Sequence, residues 1–184
     1  MVQISWTAPK TWSVGEVLTA ANMNTHLRDN LLAVGAHLIV RKTSDQSVTS
    51  STVLVSDTAL TMAVGTSEVW LFHFILRWEA STAGDFRVSF SLPSGQIDAA
   101  ASGYISNTTG VLAEQTWEAL TATDAQPQDF GGHGAALPQI TMIDGIYTGG
   151  GSAGSVTLRW AQWTSDATAT KVLTNSTLWG VKLA

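Results

Sequence analysis

Apolar and polar residues change their spacing along the chain near residue 36. Upstream, residues 20–34 place apolar side chains at the 3-4-4-3 spacing of a single helix face, and Thr19 is suited to cap the first turn. Downstream, apolar and polar residues alternate in short runs between Gly, Ser, Asp, Asn and Pro, which is the pattern of antiparallel strands. We therefore divide the chain into an N-terminal region, residues 1–35, and a β-domain, residues 36–184.

The predicted helix, residues 20–34, carries one apolar stripe. Its members are Ala20, Met23, Leu27, Leu31 and Val34. As a coiled-coil seam the stripe spans two heptads, with Asn30 at the second d position, and a seam this short is not stable alone. We expect the stripe to pack either on the β-domain or on other protein chains.

Residues 1–18 show neither helical nor alternating periodicity, which predicts an extended arm. Trp6 and Trp12 lie on either side of Pro9 in this arm. Burying one tryptophan ring removes about 150–250 Å² of surface from water, so the rings are expected to pack on protein. That protein is either the chain's own β-domain or a neighbour, and we favour the neighbour.

About eight to ten short strands are expected in the β-domain. The chain shows no helices alternating with them, which argues against a parallel α/β sheet. The sequence therefore predicts a mainly β fold, an antiparallel β-sandwich of the jelly-roll type, preceded by the arm and one short α-helix.

The longest predicted strand, residues 69–78, is apolar on both faces. One face consists of Trp70, Phe72, Phe74, Leu76 and Trp78, and the other carries Val69, Leu71, His73, Ile75 and Arg77. A strand of this kind is either covered within its own chain or lies at a subunit interface. Residues 155–163 show a similar pattern, and together the two strands favour a homo-oligomer.

Composition and charge exclude several classes of partner. The 184 residues include nine Lys and Arg, scattered along the chain, and the net charge is −5, so nucleic acid is not expected as a partner. No apolar run approaches the ~18 residues of a membrane span, and no secretory signal is apparent. Without cysteine, stability is expected to come from packing or assembly.

The motifs do not point to catalysis, to a metal or to a cofactor. His26, His37, His73 and His133 lack the spacing of metal ligands. The Gly-rich residues 148–155 lack the Lys-Ser/Thr ending of a phosphate loop, so we interpret them as a flexible hairpin. We expect no catalytic residues and no enzyme activity, and a polysaccharide hydrolase has no positive support.

Eight tryptophans suggest glycan binding as an alternative function. Most fit the core or interface positions of strands, and Trp117 and Trp163 are the remaining candidates to face a ligand. In this alternative, a receptor- or glycan-binding module would use the loops at 94–103, 124–138 and 148–154 to contact host surface glycan.

The first 35 residues also resemble the N-terminal signature of tailed-bacteriophage virion proteins. The matching positions are Pro9, Trp12, Gly15, Glu16, Thr19, Ala20, Asn24, His26, Arg28, Asp29, Asn30 and Leu31. Two later segments, residues 84–95 and 156–183, are similar in style to the β-domains that follow this signature, including a turn at Gln162 and Asp166.

The resemblance implies a phage structural protein of the minor tail, fibre or capsid-decoration type. It further implies a trimer on the particle surface, with the N-terminal part docking on other capsid or tail proteins. The residues expected at these contacts are Trp6, Pro9, Trp12, Met23, Leu27, Leu31, Val34, Val69, Leu71, His73 and Ile75.

Overall fold

A computed structural model describes residues 7–8, 10–30, 37–104, 112–121 and 126–183. Four of the predicted contact residues, Trp6, Pro9, Leu31 and Val34, lie outside these ranges. For Trp117 the structure describes the backbone and not the side chain. The chain divides into two compact units, with the boundary between His37 and Leu38.

The N-terminal unit contains the predicted helix. Helix α1 spans Ala20–Met23 and continues directly into a π-helical segment, Asn24–Arg28. Thr19 caps it as predicted, since its Oγ1 accepts a hydrogen bond from the Asn22 amide at 3.2 Å. Residues 31–34 of the predicted helix lie outside the described ranges.

The β-unit consists of twelve strands among the described residues. They are β1 (His37–Arg41), β2 (Gln46–Val48), β3 (Val55–Val64), β4 (Val69–Ala80), β5 (Phe86–Ser91), β6 (Gln96–Tyr104), β7 (Leu112–Thr121), β8 (Gln128–Phe130), β9 (Gly134–Thr148), β10 (Gly154–Ala161), β11 (Thr170–Val172) and β12 (Thr177–Lys182). The mainly β fold predicted from the alternating pattern is confirmed.

The strands form two antiparallel sheets. The larger has the order β1-β12-β4-β9-β6-β7, with β11 pairing to β4 and β2, and the smaller has the order β3-β10-β5-β8. Eight strands remain when β2, β11 and the β6–β7 hairpin are set aside. Numbered 1 to 8 along the chain, they lie in the order 1-8-3-6 in the larger sheet and 2-7-4-5 in the smaller sheet. These two interleaved four-stranded sheets are the jelly roll.

Two segments predicted as loops are in fact strands. Residues 94–103 lie mostly in β6, and residues 124–138 contribute β8 and the start of β9. Strand β6 was missed because its Ala- and Ser-rich sequence lacks the large side chains that identify strands. Small residues are needed there, since a Cβ on Gly103 would lie 2.4 Å from the Phe130 ring.

The core between the sheets is rich in aromatic side chains. Trp78 stacks on Phe86 with ring centroids 4.7 Å apart, and Phe86 in turn contacts Trp160 at 6.2 Å. Of the two apolar faces predicted for β4, the one that runs from Trp70 to Trp78 is the buried face, and all five of its residues lie in the core. Core packing therefore accounts for Trp70, Trp78 and Trp160.

A buried ion pair lies at one edge of this core. Lys42 Nζ is 2.9 Å from Asp57 Oδ2, and both side chains are almost completely shielded from water. The Asp57 carboxylate also accepts hydrogen bonds from the amides of Ala59 and Leu60 and from the Trp160 indole. The charge of Asp57 is thus balanced by one cation and three further donors.

The Gly-rich residues 148–154, predicted as a flexible hairpin, instead connect β9 of the larger sheet to β10 of the smaller sheet and are held by hydrogen bonds to neighbouring loops. The Gly149 amide donates to the Glu68 carbonyl at 2.7 Å, and Ser94 Oγ donates to the Ser152 carbonyl at 2.9 Å. A Cβ on Gly149 would lie 2.7 Å from the Glu68 carbonyl oxygen, so glycine permits the close approach of the two backbones. The glycines serve packing at this end of the sandwich.

The Glu68 carboxylate joins several segments at the same end. Burial alone would raise its pKa, but hydrogen bonds from Lys182, the Gly65 amide and the Trp70 indole outweigh burial and lower the pKa to about 2. Because the pKa of Glu68 is depressed in the folded state, its contribution to stability is present above pH 4.5 and is lost as the pH falls towards 2.

Glu68→Gln is therefore expected to flatten the acid side of the stability profile. We expect wild type to lose on the order of 2 kcal/mol more than the variant as the pH falls from about 4.5 to about 2. Urea unfolding across this range checks the difference, with Glu118→Gln on the exposed surface of β7 as the matched control. Parallel pH profiles for wild type and Glu68→Gln would show that the carboxylate has no such role.

Gln162 organises the opposite end of the sandwich. This completely buried side chain accepts hydrogen bonds from the Ser51 and Asp166 amides and donates to the Asp166 and Thr168 carbonyls. Asp166 in turn accepts a hydrogen bond from Ser81 Oγ at 3.0 Å. The turn at Gln162 and Asp166 singled out in the sequence thus satisfies backbone groups of the loops at this end.

Candidate interaction surfaces

The outer face of the larger sheet exposes apolar side chains in register across three strands. In one row, Val181 of β12, Leu71 of β4 and Ile146 of β9 lie side by side, and two rows further along, Thr177, Ile75 and Met142 do so. The exposed large apolar members of this surface are Leu71, Ile140, Met142, Ile146, Trp179 and Leu183, with Ile39 of β1 at the edge. We call the outer surface of β12, β4 and β9 the apolar face.

The apolar face is large enough to be a contact surface. Three strands about 4.8 Å apart, with about eight residues each at about 3.4 Å, give a footprint on the order of 400 Å². A contiguous exposed apolar patch of about 300–600 Å² on a monomer is often functional.

One polar pair lies at the centre of the apolar face. His73 of β4 and Asp144 of β9 are cross-strand partners, and Nδ1 of the histidine is 2.5 Å from Oδ1 of the aspartate. The Asp144 side chain is 68% exposed, whereas the His73 side chain is 27% exposed. On the other side of His73, Trp179 of β12 is its cross-strand partner.

The outer face of the smaller sheet has the opposite character. Thr61 of β3 and Thr157 of β10 are cross-strand partners there, and their hydroxyl oxygens lie 2.9 Å apart. Ser91 of β5 continues the same row. The row through Thr61, Thr157 and Ser91 therefore presents hydroxyl groups, whereas the rows through Leu71 and Ile75 on the larger sheet present mainly apolar groups.

In the N-terminal unit, signature residues fasten the arm to the helix. Asn30 is buried, and its side-chain amide accepts a hydrogen bond from the Thr7 amide and donates one to the Thr7 carbonyl, both at 2.9 Å. The edge of the Trp12 ring meets His26 with centroids 6.4 Å apart. Asn30 is thus bound to the chain's own arm, which conflicts with its interpretation as a coiled-coil seam residue.

A second set of contacts closes the arm on itself. Lys10 lies over the Trp12 ring at 5.0 Å from its centroid and forms an ion pair with Glu16. The Lys10 ammonium and the Ser13 amide both donate hydrogen bonds to the Glu16 carboxylate, and these bonds lower the pKa of Glu16. Trp12 therefore contacts residues of its own unit on two sides.

Among the described residues of the N-terminal unit, five large apolar side chains are exposed. They are Val14, Val17, Leu18, Met23 and Leu27. We call them the arm strip. Predicted stripe members Met23 and Leu27 are 39% and 45% exposed, so the helix does not bury them within the described residues.

The candidate ligand-facing tryptophans gain little support. Trp163 is half-buried, and the guanidinium carbon of Arg87 lies 4.1 Å from the centroid of its ring. The indole therefore already has a cation over one face, where a sugar ring would stack. The Trp117 side chain lies outside the described residues.

Sequence reasoning identified the β4 half of the apolar face but missed its neighbours. Leu71, His73 and Ile75 were recognised from alternation along one strand, whereas Met142 and Ile146 on β9 were not assigned to an interface. The signal was present, since apolar residues occupy alternate positions at 140, 142 and 146. Only the register showed that these residues adjoin β4.

Two further searches of the described residues gave negative results. No group of three or more His, Cys, Asp or Glu side chains is placed to hold a metal ion within the described ranges. Among those same residues, no helix is long and apolar enough to cross a membrane.

No family model matches the chain, and no curated protein sequence matches it. Among solved structures, it is similar to the Gt strain of infectious bursal disease virus, with 13% identity, a TM-score of 0.22, and coverage of 79% of this chain and 42% of that chain. The VP2 subviral particle of the same virus gives 12% identity, a TM-score of 0.22, and coverage of 80% and 41%. The chain spans about two fifths of the length of these structures, and TM-scores of this size support no functional conclusion.

Proposed function

We propose that the protein is a non-enzymatic structural component of a tailed-bacteriophage particle. In this proposal the N-terminal unit attaches the chain to other capsid or tail proteins, and the jelly roll is displayed on the particle surface and associates with further copies. The resemblance of residues 6–35 to virion proteins supplies the phage context and the expected trimer.

The placement of exposed apolar side chains is the observation that carries this proposal. Among the described residues, the exposed large hydrophobic side chains lie in the arm strip or on the apolar face, with Ile39 at the edge of that face. The two exceptions are Val53 and Leu137. Scattered single apolar residues are ordinary on a protein surface, whereas concentrated patches indicate contacts with other proteins. The chain therefore has two surfaces suited to assembly.

The signature contacts separate two roles within the N-terminal unit. Trp12, His26 and Asn30 hold the arm against the helix, so they are proposed to shape the unit. Val17 and Leu27, which are 76% and 45% exposed, are proposed to make the contact with the particle. Aspartate at either of these positions would place a carboxylate in that contact.

The double variant Val17→Asp and Leu27→Asp is therefore expected to fold but not to join particles. Supplied in place of the wild-type chain during phage assembly, it should be reduced at least about tenfold in purified particles, since burying an unpaired carboxylate costs several kcal/mol. Immunoblotting of purified particles measures the incorporation. Thr25→Asp, at an exposed helix position, is the matched control, and normal incorporation of the double variant would overturn the anchoring role.

A further inference from the structure

We propose that the apolar face pairs with the same face of a second copy across a two-fold axis that runs parallel to the strands, between β4 and β9. This inference rests on the self-association included in the proposed function and adds to it a two-fold contact, which can join two single chains or two trimers. A rotation about such an axis keeps each row of residues at its own height and places β4 of one copy over β9 of the other. It also places β12 over β6.

On β4 and β9, the rows on either side of the centre complement themselves under this rotation. Leu71 faces the partner's Ile146, and Ile75 faces the partner's Met142, because each of these pairs lies side by side on β4 and β9. Apolar groups therefore meet apolar groups in the rows on both sides of the centre. An interface of this kind, with the same patch on both copies, is the isologous contact of a two-fold dimer.

The central row adds complementarity of charge and of size. His73 faces the partner's Asp144, since the two residues are cross-strand partners within each chain. His73 Nδ1 already contacts Asp144 of its own chain, which leaves the second ring nitrogen, Nε2, as the group that would meet the partner's Asp144. In the same row, bulky Trp179 faces the partner's Ala100, the residue that pairs with Asp144 on β6.

The other simple two-fold arrangement is less favourable. An axis perpendicular to the strands through the central row would keep each strand over its own copy, placing Asp144 over the partner's Asp144. That arrangement would bring like charges together while desolvating them. The central pair therefore selects the parallel axis.

The available area suits a second copy of equal size. Adding β6, which the rotation places over the partner's β12, brings the flat area of the self-complementary patch to about 520 Å², about two thirds of the ~800 Å² per partner of a standard interface. The β6 side contributes Asp98 and Ser102, which are exposed and polar, as expected at the rim. Sheet twist will separate the outermost rows, so the three central rows should form the closest contact.

Cross-linking between single-cysteine variants tests the axis directly. The chain has no natural cysteine, so each introduced thiol is the sole reactive one. Facing sheets lie about 10 Å apart, which exceeds disulfide reach but suits a short bismaleimide. A mixture of Leu71→Cys and Ile146→Cys proteins should form the mixed cross-link, and a mixture of Leu71→Cys with Thr157→Cys, in the hydroxyl row of the smaller sheet, should form at least about tenfold less.

Two outcomes would overturn the two-fold pairing. One is a mixed Leu71–Ile146 cross-link no stronger than that of the Thr157 control. The other is a Leu71→Cys protein that cross-links to Ile75→Cys more efficiently than to Ile146→Cys, since the perpendicular axis places Leu71 over the partner's Ile75. Either result would leave the anchoring proposal intact, because particle incorporation of the Val17 and Leu27 variants is measured separately.

Discussion

Replacing Lys42 with methionine is expected to lower the free energy of unfolding by about 3–5 kcal/mol, because it leaves the Asp57 carboxylate buried without its cation. The amides of Ala59 and Leu60 and the Trp160 indole continue to donate to that carboxylate, so the fold should remain intact at room temperature. Urea unfolding followed by tryptophan fluorescence, at one fixed protein concentration, measures the loss.

A second substitution separates the effect of charge from the effect of packing. The side chain introduced by Asp57→Asn is neutral, and its oxygen can still accept the bonds from the Ala59 and Leu60 amides, although its NH2 group replaces the oxygen that accepts from the Trp160 indole; combining this substitution with Lys42→Met should therefore recover part of the stability. A double variant as unstable as Lys42→Met alone would show that the loss comes from the lysine's packing rather than from an unpaired carboxylate.

Replacing both Met142 and Ile146 with glutamate is expected to raise the dissociation constant of the oligomer by more than about a thousandfold. Two-fold pairing would bury four new carboxylates at once, each costing several kcal/mol, and every 1.4 kcal/mol changes affinity about tenfold. Both side chains are more than 40% exposed in the single chain, so the substitutions should leave the sandwich folded. Sedimentation velocity over a range of protein concentrations measures the change.

The matched control places the same charges on the other sheet. Thr61 and Thr157 lie in the hydroxyl row on the outer face of the smaller sheet, and glutamate at both positions adds identical net charge. This control should sediment as wild type does. If both double variants dissociated equally, general charge repulsion would explain the result and the apolar face would have no special role.

The sequence was most informative where the alternation of residues within a single strand was enough to predict its structure. Alternation in residues 69–78 predicted two apolar faces for β4, and the face from Trp70 to Trp78 is the buried one. The antiparallel sandwich followed from many such strands. Strand β6 was missed because its packing against Phe130 requires small residues rather than large ones.

The centre of the apolar face could not be predicted from the sequence. His73 and Asp144 lie 71 residues apart in the chain, and their contact depends on the register between β4 and β9. A lone histidine in a strand gives no indication of its cross-strand partner. Cross-strand pairing therefore had to come from the structure.

The structure explains several residues of the N-terminal signature by contacts within the N-terminal unit. Asn30 forms hydrogen bonds with the Thr7 backbone, the Trp12 ring contacts His26, and Glu16 forms an ion pair with Lys10. The aromatic ring of Trp12, which we expected to lie against a neighbouring protein, contacts its own helix. Among the described residues of the N-terminal unit, the apolar surface available to a neighbouring protein is the arm strip.

The mass of the wild-type protein in solution tests most directly whether copies pair through the apolar face. Native mass spectrometry, supported by sedimentation equilibrium at micromolar concentration, should give an even multiple of the 19.5 kDa chain mass, either a pair or a pair of larger oligomers. The Met142 and Ile146 double variant should lose this pairing. A wild-type protein that stays at one or three chain masses at every concentration would contradict the two-fold contact.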